Sequence, residues 1–439
     1  MYCTELIRAC DSFSRKIYVI CPGEANPVEQ VAGSAALTEK ISVVYHPSRA
    51  RKNGGQKFSD LAADFRDLRS QVAAIQQANL GEELFIYHTS LDSFLTGVWN
   101  LPRLLAGIPK FLPWSFSGML MAPDRIWPLH KARQSLDELF GDCGSGHSVP
   151  RLIKSGCERV LVIVGAIFRG SYLWLRNLVL RRSRCIKIAV LDERYADWLY
   201  RKTGKQIVAY PETTLVAVSQ PPPELVRMIA ARREGRVVVG VLGALHRRKG
   251  VGLLIDMIQK EDTSGFLFVL AGDCDFVSFL PKHRAFLEHE IQRHDNVIFF
   301  PQAVTLESDF NAIVAACDVI YGVYRNHLHS SGLISKAAAF GKPLLVSEGA
   351  LMAKRVRDYG IGRVVPEQTP QACLRMLREM NTPQYREKLL RTGNFKKYIE
   401  EHSVESLQRV MAELSANRVK GGSQGKINAD FNQHRKSGV

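Results

Sequence analysis

The sequence lacks the marks of a secreted, zinc-binding or membrane-spanning protein. It has no CxxC pair and no His-linked zinc spacing, and its cysteines are scattered as Cys3, Cys10, Cys21, Cys143, Cys157, Cys185, Cys274, Cys317 and Cys373. Scattered thiols are typical of a reducing compartment. No run of about 18 uncharged apolar residues occurs, and the start MYCTELIRACDSFSRK has no cationic segment followed by an apolar one. We therefore expect a cytoplasmic protein without a structural metal.

Acidic residues are few relative to basic ones. The chain has 59 Lys and Arg against 43 Asp and Glu, which gives a formal net charge of +16. This excess favours an anionic partner such as nucleic acid, lipid headgroups or a phosphorylated substrate. No nucleic-acid module is recognisable and the cations do not alternate with aromatics, so we do not expect nucleic acid. The cations concentrate at 46–57 and in YLWLRNLVLRRSR (172–184). The second segment suits an anionic membrane surface, or else a helix packed on a sheet with solvated arginines.

What the sequence has in abundance is β-type apolar runs that alternate with helix-length segments. A first series of runs lies at 16–23, 41–46, 82–88, 159–168, 185–192 and 206–210, and a second at 236–245, 265–273, 296–301, 316–323 and 342–349. Such runs separated by helices indicate mostly parallel sheets buried on both faces. The 439 residues suffice for two domains. The predicted fold class is α/β, with two tandem doubly wound Rossmann-like domains and the active site in the cleft between them.

The Pro-rich stretch PETTLVAVSQPPPELV and the charged residues after it separate the two series of strands. We take this stretch as a hinge between domains. The last residues are polar, basic and rich in Gly and Ser, which predicts disorder. The predicted boundaries are an N-terminal domain at 1–213, a hinge at 214–235, a C-terminal domain at 236–385, C-terminal helices at 386–414 and a disordered basic tail at 415–439.

The segment HSSGLISKAAAFGKP (329–343) has the pattern of a helix that begins with free backbone N–H groups. Ser330 and Ser331 are good N-cap residues, and Gly341 before Pro343 ends the helix. The start of such a helix suits an anion such as phosphate. The alternative is an ordinary capped helix in a parallel sheet.

The segment VVVGVLGALHRRKGVGLLIDMI places a basic turn after a strand. The strand ends near Gly243, and Arg247, Arg248 and Lys249 follow before Gly250 opens an apolar helix. Ligands bind at this end of the strands in doubly wound sheets. A basic turn alone is a weak signal, but here it accompanies a second anion-suited helix start in the same domain.

The order of the segments GALHRRKG, VLAGD, NVIFFPQAV, ACDVIYGVYRN and SSGLISKAAAFGKPLLVSEG resembles the donor-binding half of a GT-B glycosyltransferase, over roughly 236–366. The resemblance implies a nucleotide-sugar donor, a glycan or lipid-linked acceptor, and no cofactor or metal. It implies that Lys249 grips the donor diphosphate, and that the amides of Ser330, Ser331 and Gly332 receive its phosphates. The family's usual Arg falls on Ala244, so Arg247 or Arg248 is expected to supply that charge.

The chain departs from the family at its Glu-x7-Glu pair, which falls on Leu328 and Lys336. An ammonium group only donates hydrogen bonds, so Lys336 cannot accept from a ribose hydroxyl as the family's Glu does. We expect Lys336 to bind a phosphate or reach a carbonyl instead. His329 or Glu348 is a candidate for replacing the lost contact.

The N-terminal half resembles the family only in outline, and the resemblance makes it the acceptor-binding domain. His88, at the end of LFIYH, matches the cleft-facing His of such enzymes, or is a structural His. Asp192 and Glu193 end another strand and either face the cleft or cap the next helix. Trp114, Ser115, Phe116 and Ser117 suit a sugar-stacking loop or core packing. His88 and Asp192 are the catalytic candidates, to orient the acceptor hydroxyl or serve as base.

The function expected from the resemblance is sugar transfer from a nucleotide-sugar to a glycan or lipid-linked acceptor, in polysaccharide or glycolipid biosynthesis. Because of its basic charge, we expect the protein to be cytoplasmic and peripheral on the inner membrane face. The alternatives are a degenerate GT-B protein that binds without turnover, a sugar-nucleotide epimerase and a nucleic-acid-binding protein.

Overall fold

The structure, a computed structural model, describes residues 185–416 apart from 350 and 367. Before residue 185 it describes four short strands and two interrupted helical segments, within 70–78 and 173–182. The predicted strand at 159–168 and nearly all of the predicted tail lie outside these residues. Within the part of the chain that is described, no helix is long and apolar enough to span a bilayer.

The strands of the N-terminal half are parallel, as their apolar runs predict. β1 (Ile17–Pro22) pairs with β2 (Ile41–His46). A four-stranded sheet follows in the order β3 (Tyr87–His88), β4 (Phe116–Leu120), β5 (Cys185–Val190) and β6 (Gln206–Ala209). β4 is not among the predicted strands, and it begins inside the aromatic segment taken for a loop or for core. Its Ser117 and Gly118 interrupt the apolar run that marks the other strands.

The C-terminal half contains a six-stranded parallel sheet. Its strands are β7 (Val237–Leu242), β8 (Phe266–Ala271), β9 (Val297–Phe300), β10 (Val319–Gly322), β11 (Leu344–Ser347) and β12 (Gly362–Val365). They lie in the order β12-β11-β10-β7-β8-β9. Every residue of β7 and β8 is buried, which explains their continuous apolar sequences. The strand order reverses between β7 and β10, and doubly wound sheets bind ligands at such a point.

Residues 185–416 also form α-helices, some of which cover the two faces of this second sheet. They are α1 (Ala196–Thr203), α2 (Glu224–Arg232), α3 (Val251–Lys260), α4 (Pro281–Ala285), α5 (Glu307–Ala316), α6 (Gly332–Ala339), α7 (Leu351–Tyr359), α8 (Pro370–Met380), α9 (Pro383–Thr392), α10 (Phe395–Glu401) and α11 (Val404–Ser415). One face of the sheet buries α3 and α8, and the other buries α6 and α7.

Two helices pack in places that the predicted domain boundaries do not indicate. α2 lies within the segment 214–235 taken as the hinge, yet its Leu225 and Ile229 are buried in the core of the second sheet. α11 belongs to the predicted C-terminal helices, yet its apolar face packs on β5 and β6 of the first sheet. The chain therefore passes between the two sheets twice, once before α2 and once before α11.

Candidate functional site

The candidate site lies at the carboxyl edge of the second sheet, where the loops after β7, β8 and β10 meet. The loop after β7 crosses to the loop after β8, since Leu245 donates its N–H to Asp273 O at 2.6 Å and accepts from Asp275 N at 2.9 Å. It also meets the loop after β10, because Arg325 N donates to Arg248 O at 2.7 Å. The strand reversal between β7 and β10 thus brings all three loops together.

Two glycines allow the basic turn to pack so tightly. Gly250 has φ of +75°, and a Cβ there would lie 2.1 Å from Val323 O. Gly243 has φ of +87°, and a Cβ there would lie 2.9 Å from Lys249 Nζ. A side chain at Gly250 would collide with the backbone after β10, so the close contact between the two loops requires glycine.

The ammonium group of Lys249 lies at the end of β7, as the sequence predicts for this turn. Its Nζ donates to Leu242 O at 2.8 Å and lies 5.4 Å from the centre of the Tyr324 ring. The carbonyl takes one of the three ammonium hydrogens. The side chain is therefore anchored at the strand end where an anion would bind.

The arginines beside Lys249 are held by two different loops. The backbone N–H of Arg247 donates to Ser278 Oγ at 3.1 Å, in the loop after β8. Arg248 turns toward the loop after β10, where its Nη1 lies 2.6 Å from His327 Nδ1. Burial lowers the pKa of Arg248 from its ordinary value, but a guanidinium keeps its charge in proteins.

His327 connects this turn to the start of α6. A guanidinium only donates, so Nδ1 of His327 accepts from Arg248 and its proton is assigned to Nε2. Nε2 lies 3.1 Å from Ser330 O and donates to it. The sequence-based candidate in this segment is His329 instead, whose ring centre is 6.2 Å from that of His327. The pattern His-Leu-His does not reveal which imidazole bridges the two turns.

The start of α6 has the cap that the sequence predicts. Ser331 is the N-cap and its Oγ accepts from Leu333 N at 3.4 Å, while Gly341, with φ of +61°, follows the end of the helix. The first N–H groups of a helix have no acceptor within the helix. The hydroxyl of Ser330 is already engaged, because it donates to Glu212 and accepts from Arg355 Nη1 at 2.7 Å.

Lys336 lies on α6, and its side chain faces α5 and the segment after β6. Its Nζ donates to Glu307 Oε1 at 2.5 Å, Asn311 Oδ1 at 3.0 Å and Thr214 Oγ1 at 3.1 Å. These three acceptors match the three ammonium hydrogens, and only 2% of the residue is exposed. This geometry leaves no hydrogen of Lys336 for a donor phosphate, in contrast to the sequence-based expectation.

Asp192 lies where β5 ends, and it takes the capping alternative. Its carboxylate accepts from Arg194 N at 3.2 Å, Nε at 2.8 Å and Nη2 at 2.6 Å, and the residue is fully buried. The same guanidinium donates to Leu328 O at 2.9 Å, in the loop before α6. Asp192 is therefore committed to an ion pair that joins the first sheet to the second.

The two remaining candidates lie at other strand ends. Glu348 follows β11 and accepts from Gly349 N at 2.9 Å and from Arg357 Nη1 at 2.8 Å. The hydrogen bonds from Arg357 hold the pKa of this exposed carboxylate below its ordinary value. His88 ends β3, as its position in LFIYH predicts. Its side chain lies outside the described part of the structure.

Comparison with known proteins gives structural matches only. No protein-family model matches the sequence, and no curated protein matches it. Sucrose-phosphate synthase from Thermosynechococcus elongatus superposes with a TM-score of 0.59 at 14% identity, over 94% of this chain and 91% of that one. HepE from Anabaena, in complex with UDP and glucose, gives 0.59 at 13% identity, over 93% and 95%. WaaG, a glycosyltransferase involved in lipopolysaccharide biosynthesis, gives 0.55 at 12% identity, over 95% of each chain.

These matches define the class of the fold. The matched proteins are GT-B glycosyltransferases, and this chain shares their fold, with parallel α/β domains in tandem. The fold predicted from the sequence is thus confirmed. Because one fold hosts different activities, the activity has to be argued from the site.

Proposed function

We propose that the protein is a glycosyltransferase that moves a sugar from a nucleotide-sugar donor to an acceptor. The observation that carries the proposal is the bridge from Arg248 through His327 to Ser330 O. It joins the basic turn after β7 to the start of α6. The cations of the turn and the free N–H groups of the helix start therefore lie in one site. A donor diphosphate is the ligand that fits cations and helix amides placed side by side.

The charges of the proposed site suit the chemistry of glycosyl transfer. When the glycosidic bond of the donor breaks, negative charge develops on the leaving diphosphate. Lys249 and Arg247 supply positive charge there, and the N–H groups of Ser331 and Gly332 supply fixed dipoles. Groups already positioned in this way stabilise the transition state without reorganising. We propose that these groups stabilise the negative charge of the leaving nucleoside diphosphate, with no metal or cofactor required.

The acceptor hydroxyl has to be oriented and deprotonated by the first domain. Of the two candidates, Asp192 has its carboxylate engaged by three donors of Arg194. We therefore propose that Asp192 acts by holding Arg194 against the loop before α6. His88 is the proposed general base, since it ends a strand of the first sheet and an imidazole suits proton transfer near neutral pH.

We further propose a glycan or lipid-linked acceptor and a hexosyl donor, with the enzyme peripheral to an anionic cytoplasmic membrane face. The net charge of +16 supports an anionic surface. The helical segment within 173–182 exposes Arg181, Arg182 and Trp174, of which Trp174 is 65% exposed, whereas Arg176 and Leu180 are buried. WaaG is involved in lipopolysaccharide biosynthesis, which supports a role in polysaccharide or glycolipid biosynthesis.

A second candidate function is nucleotide or glycan binding without turnover. The geometry of Lys336 favours it, because this residue occupies the position of the family's ribose-binding carboxylate and yet is buried against α5. Incubation of the protein with nucleotide-sugars separates the two candidates. Hydrolysis or transfer of a donor supports the enzyme, whereas saturable binding without either reaction supports the binding protein.

Replacement of Lys249 tests the site itself. Thermal unfolding is measured with a panel of nucleoside diphosphates and their sugars, for the wild type, Lys249→Ala and the control Lys260→Ala, which removes an exposed Lys at the end of α3. A ligand that binds only the folded protein raises its stability by mass action. We expect Lys249→Ala to weaken diphosphate binding by about tenfold or more, the value of one lost charge-assisted hydrogen bond. Equal shifts in all three proteins would contradict the proposed site.

A further inference from the structure

A buried arginine lies at the centre of the contacts between the two domains. Arg355, on α7, is 4% exposed. Its Nη2 donates to Leu191 O at 2.9 Å and lies 3.3 Å from Glu193 Oε2, both at the end of β5. Its Nη1 donates to Glu212 Oε2 at 2.5 Å and to Ser330 Oγ at 2.7 Å. One guanidinium thus connects the first sheet, the segment after β6 and the start of α6.

Glu212, whose carboxylate pairs with Arg355, is also buried and bonded to a second segment. Glu212 is 1% exposed and follows β6 by three residues. Its N–H donates to His402 Nδ1 at 3.0 Å, in the segment between α10 and α11. Burial and the charge of Arg355 lower the pKa of His402 to about 3, so the imidazole stays neutral and able to accept at physiological pH.

Arg355 and Glu212 both contact Ser330, the residue before the N-cap of α6. Its hydroxyl lies between Glu212 and Arg355, and its carbonyl accepts from His327. The hydroxyl of Ser330 is therefore fixed by Glu212 and Arg355. Its carbonyl is fixed by His327, which also contacts Arg248 of the basic turn. A shift of Ser330 would move the first amides of α6 away from Lys249.

We propose that Arg355 and Glu212 are positioning residues for the donor diphosphate, because they hold the start of α6 in register with the basic turn. This inference rests on the proposed function. A buried ion pair is weak evidence of stabilisation, since desolvation offsets most of its attraction. The arrangement fits positioning better, because the planar guanidinium meets four acceptors on three separate segments and thereby fixes their relative places.

Arg355 and Glu212 use their polar atoms on protein groups, so neither is proposed to contact the diphosphate itself. In this proposal their effect would reach the ligand through Ser330, whose hydroxyl bonds Glu212 and Arg355 and whose neighbouring amides, at the start of α6, would receive the phosphates. Loss of the network should therefore impair recognition of the phosphates and leave the remaining contacts of the nucleotide in place. A purely structural role would lower stability without changing this selectivity.

The test measures the ratio of affinities for a nucleoside diphosphate and the matching monophosphate, in the wild type and in Arg355→Lys, Ser330→Ala and their double variant. The lysine keeps the charge but cannot reach all four acceptors. We expect the ratio to fall about tenfold in each single variant, as for a loss of one charge-assisted contact. We expect the double variant to resemble the single ones, because the two residues act through one contact.

Controls separate folding from positioning. Lys354→Met changes the neighbouring exposed residue, which pairs with Asp358, and should leave the ratio unchanged. If Arg355→Lys does not fold, Glu212→Gln takes its place and is expected to lower the ratio in the same way. Parallel loss of both affinities, or additive effects in the double variant, would overturn the inference. A wild type that binds no nucleoside diphosphate would instead overturn the proposed function, and this inference with it.

Discussion

The buried side chain of Lys336 provides a sharp test of how the site departs from the family pattern. The perturbation is Lys336→Met, which keeps the length of the side chain and removes the ammonium. The change leaves Glu307 without its partner at 2.5 Å and Asn311 Oδ1 without its donor at 3.0 Å. It also removes the hydrogen bond to Thr214, which links the segment after β6 to α6 of the second domain.

The magnitude follows from these contacts. Removal of one partner of a buried ion pair costs about 3 to 5 kcal/mol. The side chain of Glu307 is 27% exposed, so water can partly solvate the carboxylate once it is alone. We therefore expect a loss of about 3 kcal/mol, which corresponds to a fall in Tm of roughly 6 to 12 °C for a domain of 150 to 250 residues.

The assay combines thermal unfolding with nucleotide affinity measured below the Tm. Lys336→Met should be destabilised, while its affinity for a nucleoside diphosphate stays within about twofold of the wild type, since Glu307, Asn311 and Thr214 already accept the three ammonium hydrogens. Lys342→Met, a half-buried lysine beyond the end of α6, should change stability by at most about 0.5 kcal/mol. A variant of Lys336 with normal Tm and a tenfold weaker affinity would refute this reasoning and place the ammonium on the donor.

Two further predictions concern the turn after β7 and the acid sensitivity of the domain contact. Gly250→Ala should lower the free energy of unfolding by at least about 2 kcal/mol in chemical denaturation, because φ of +75° and the Val323 carbonyl, 2.1 Å from the position of a Cβ, both oppose a side chain. The control Gly265→Ala, at a position with open space around it, should be neutral or slightly stabilising. Equal stability of the two variants would contradict this account. His402 has its pKa lowered to about 3, so the unfolded chain binds the proton first and stability is lost as the pH falls from about 6.5 toward 3, by about 2 kcal/mol at pH 5. His402→Asn should show a correspondingly smaller loss between pH 7 and 5, and parallel pH profiles would argue against a buried neutral imidazole.

Local patterns in the sequence predicted the elements that carry the site. The continuous apolar runs indicated β7, β8 and β10, and Gly250 with the preceding cations indicated a basic turn after a strand. Ser331 was expected as an N-cap, and its side chain does accept from Leu333 N. These features depend on residues a few positions apart, so the sequence contains the information directly.

The role of individual polar side chains was harder to predict. From its position relative to Gly341, Lys336 is expected to bind a phosphate or reach a carbonyl, whereas the direction of its side chain depends on α5 packing beside α6. The sequence analysis names His329 as a candidate and does not identify His327, whose contacts with Arg248 and Ser330 depend on the packing of the two loops. β4 was missed because Ser117 and Gly118 break its apolar run, and its place between β3 and β5 comes from pairing with distant strands.

The sequence by itself determined the α/β class, strands β7 to β11 of the second sheet, the basic turn after β7 and the capped start of α6, because periodicity, glycines and caps act over short distances. Only the tertiary structure decided that His327 joins those turns, that Arg355 and Glu212 hold Ser330 between the domains, and that α11 returns to the first sheet. These contacts join residues far apart in the chain. They form because sheet order and helix packing bring distant segments together, so no short stretch of sequence predicts them.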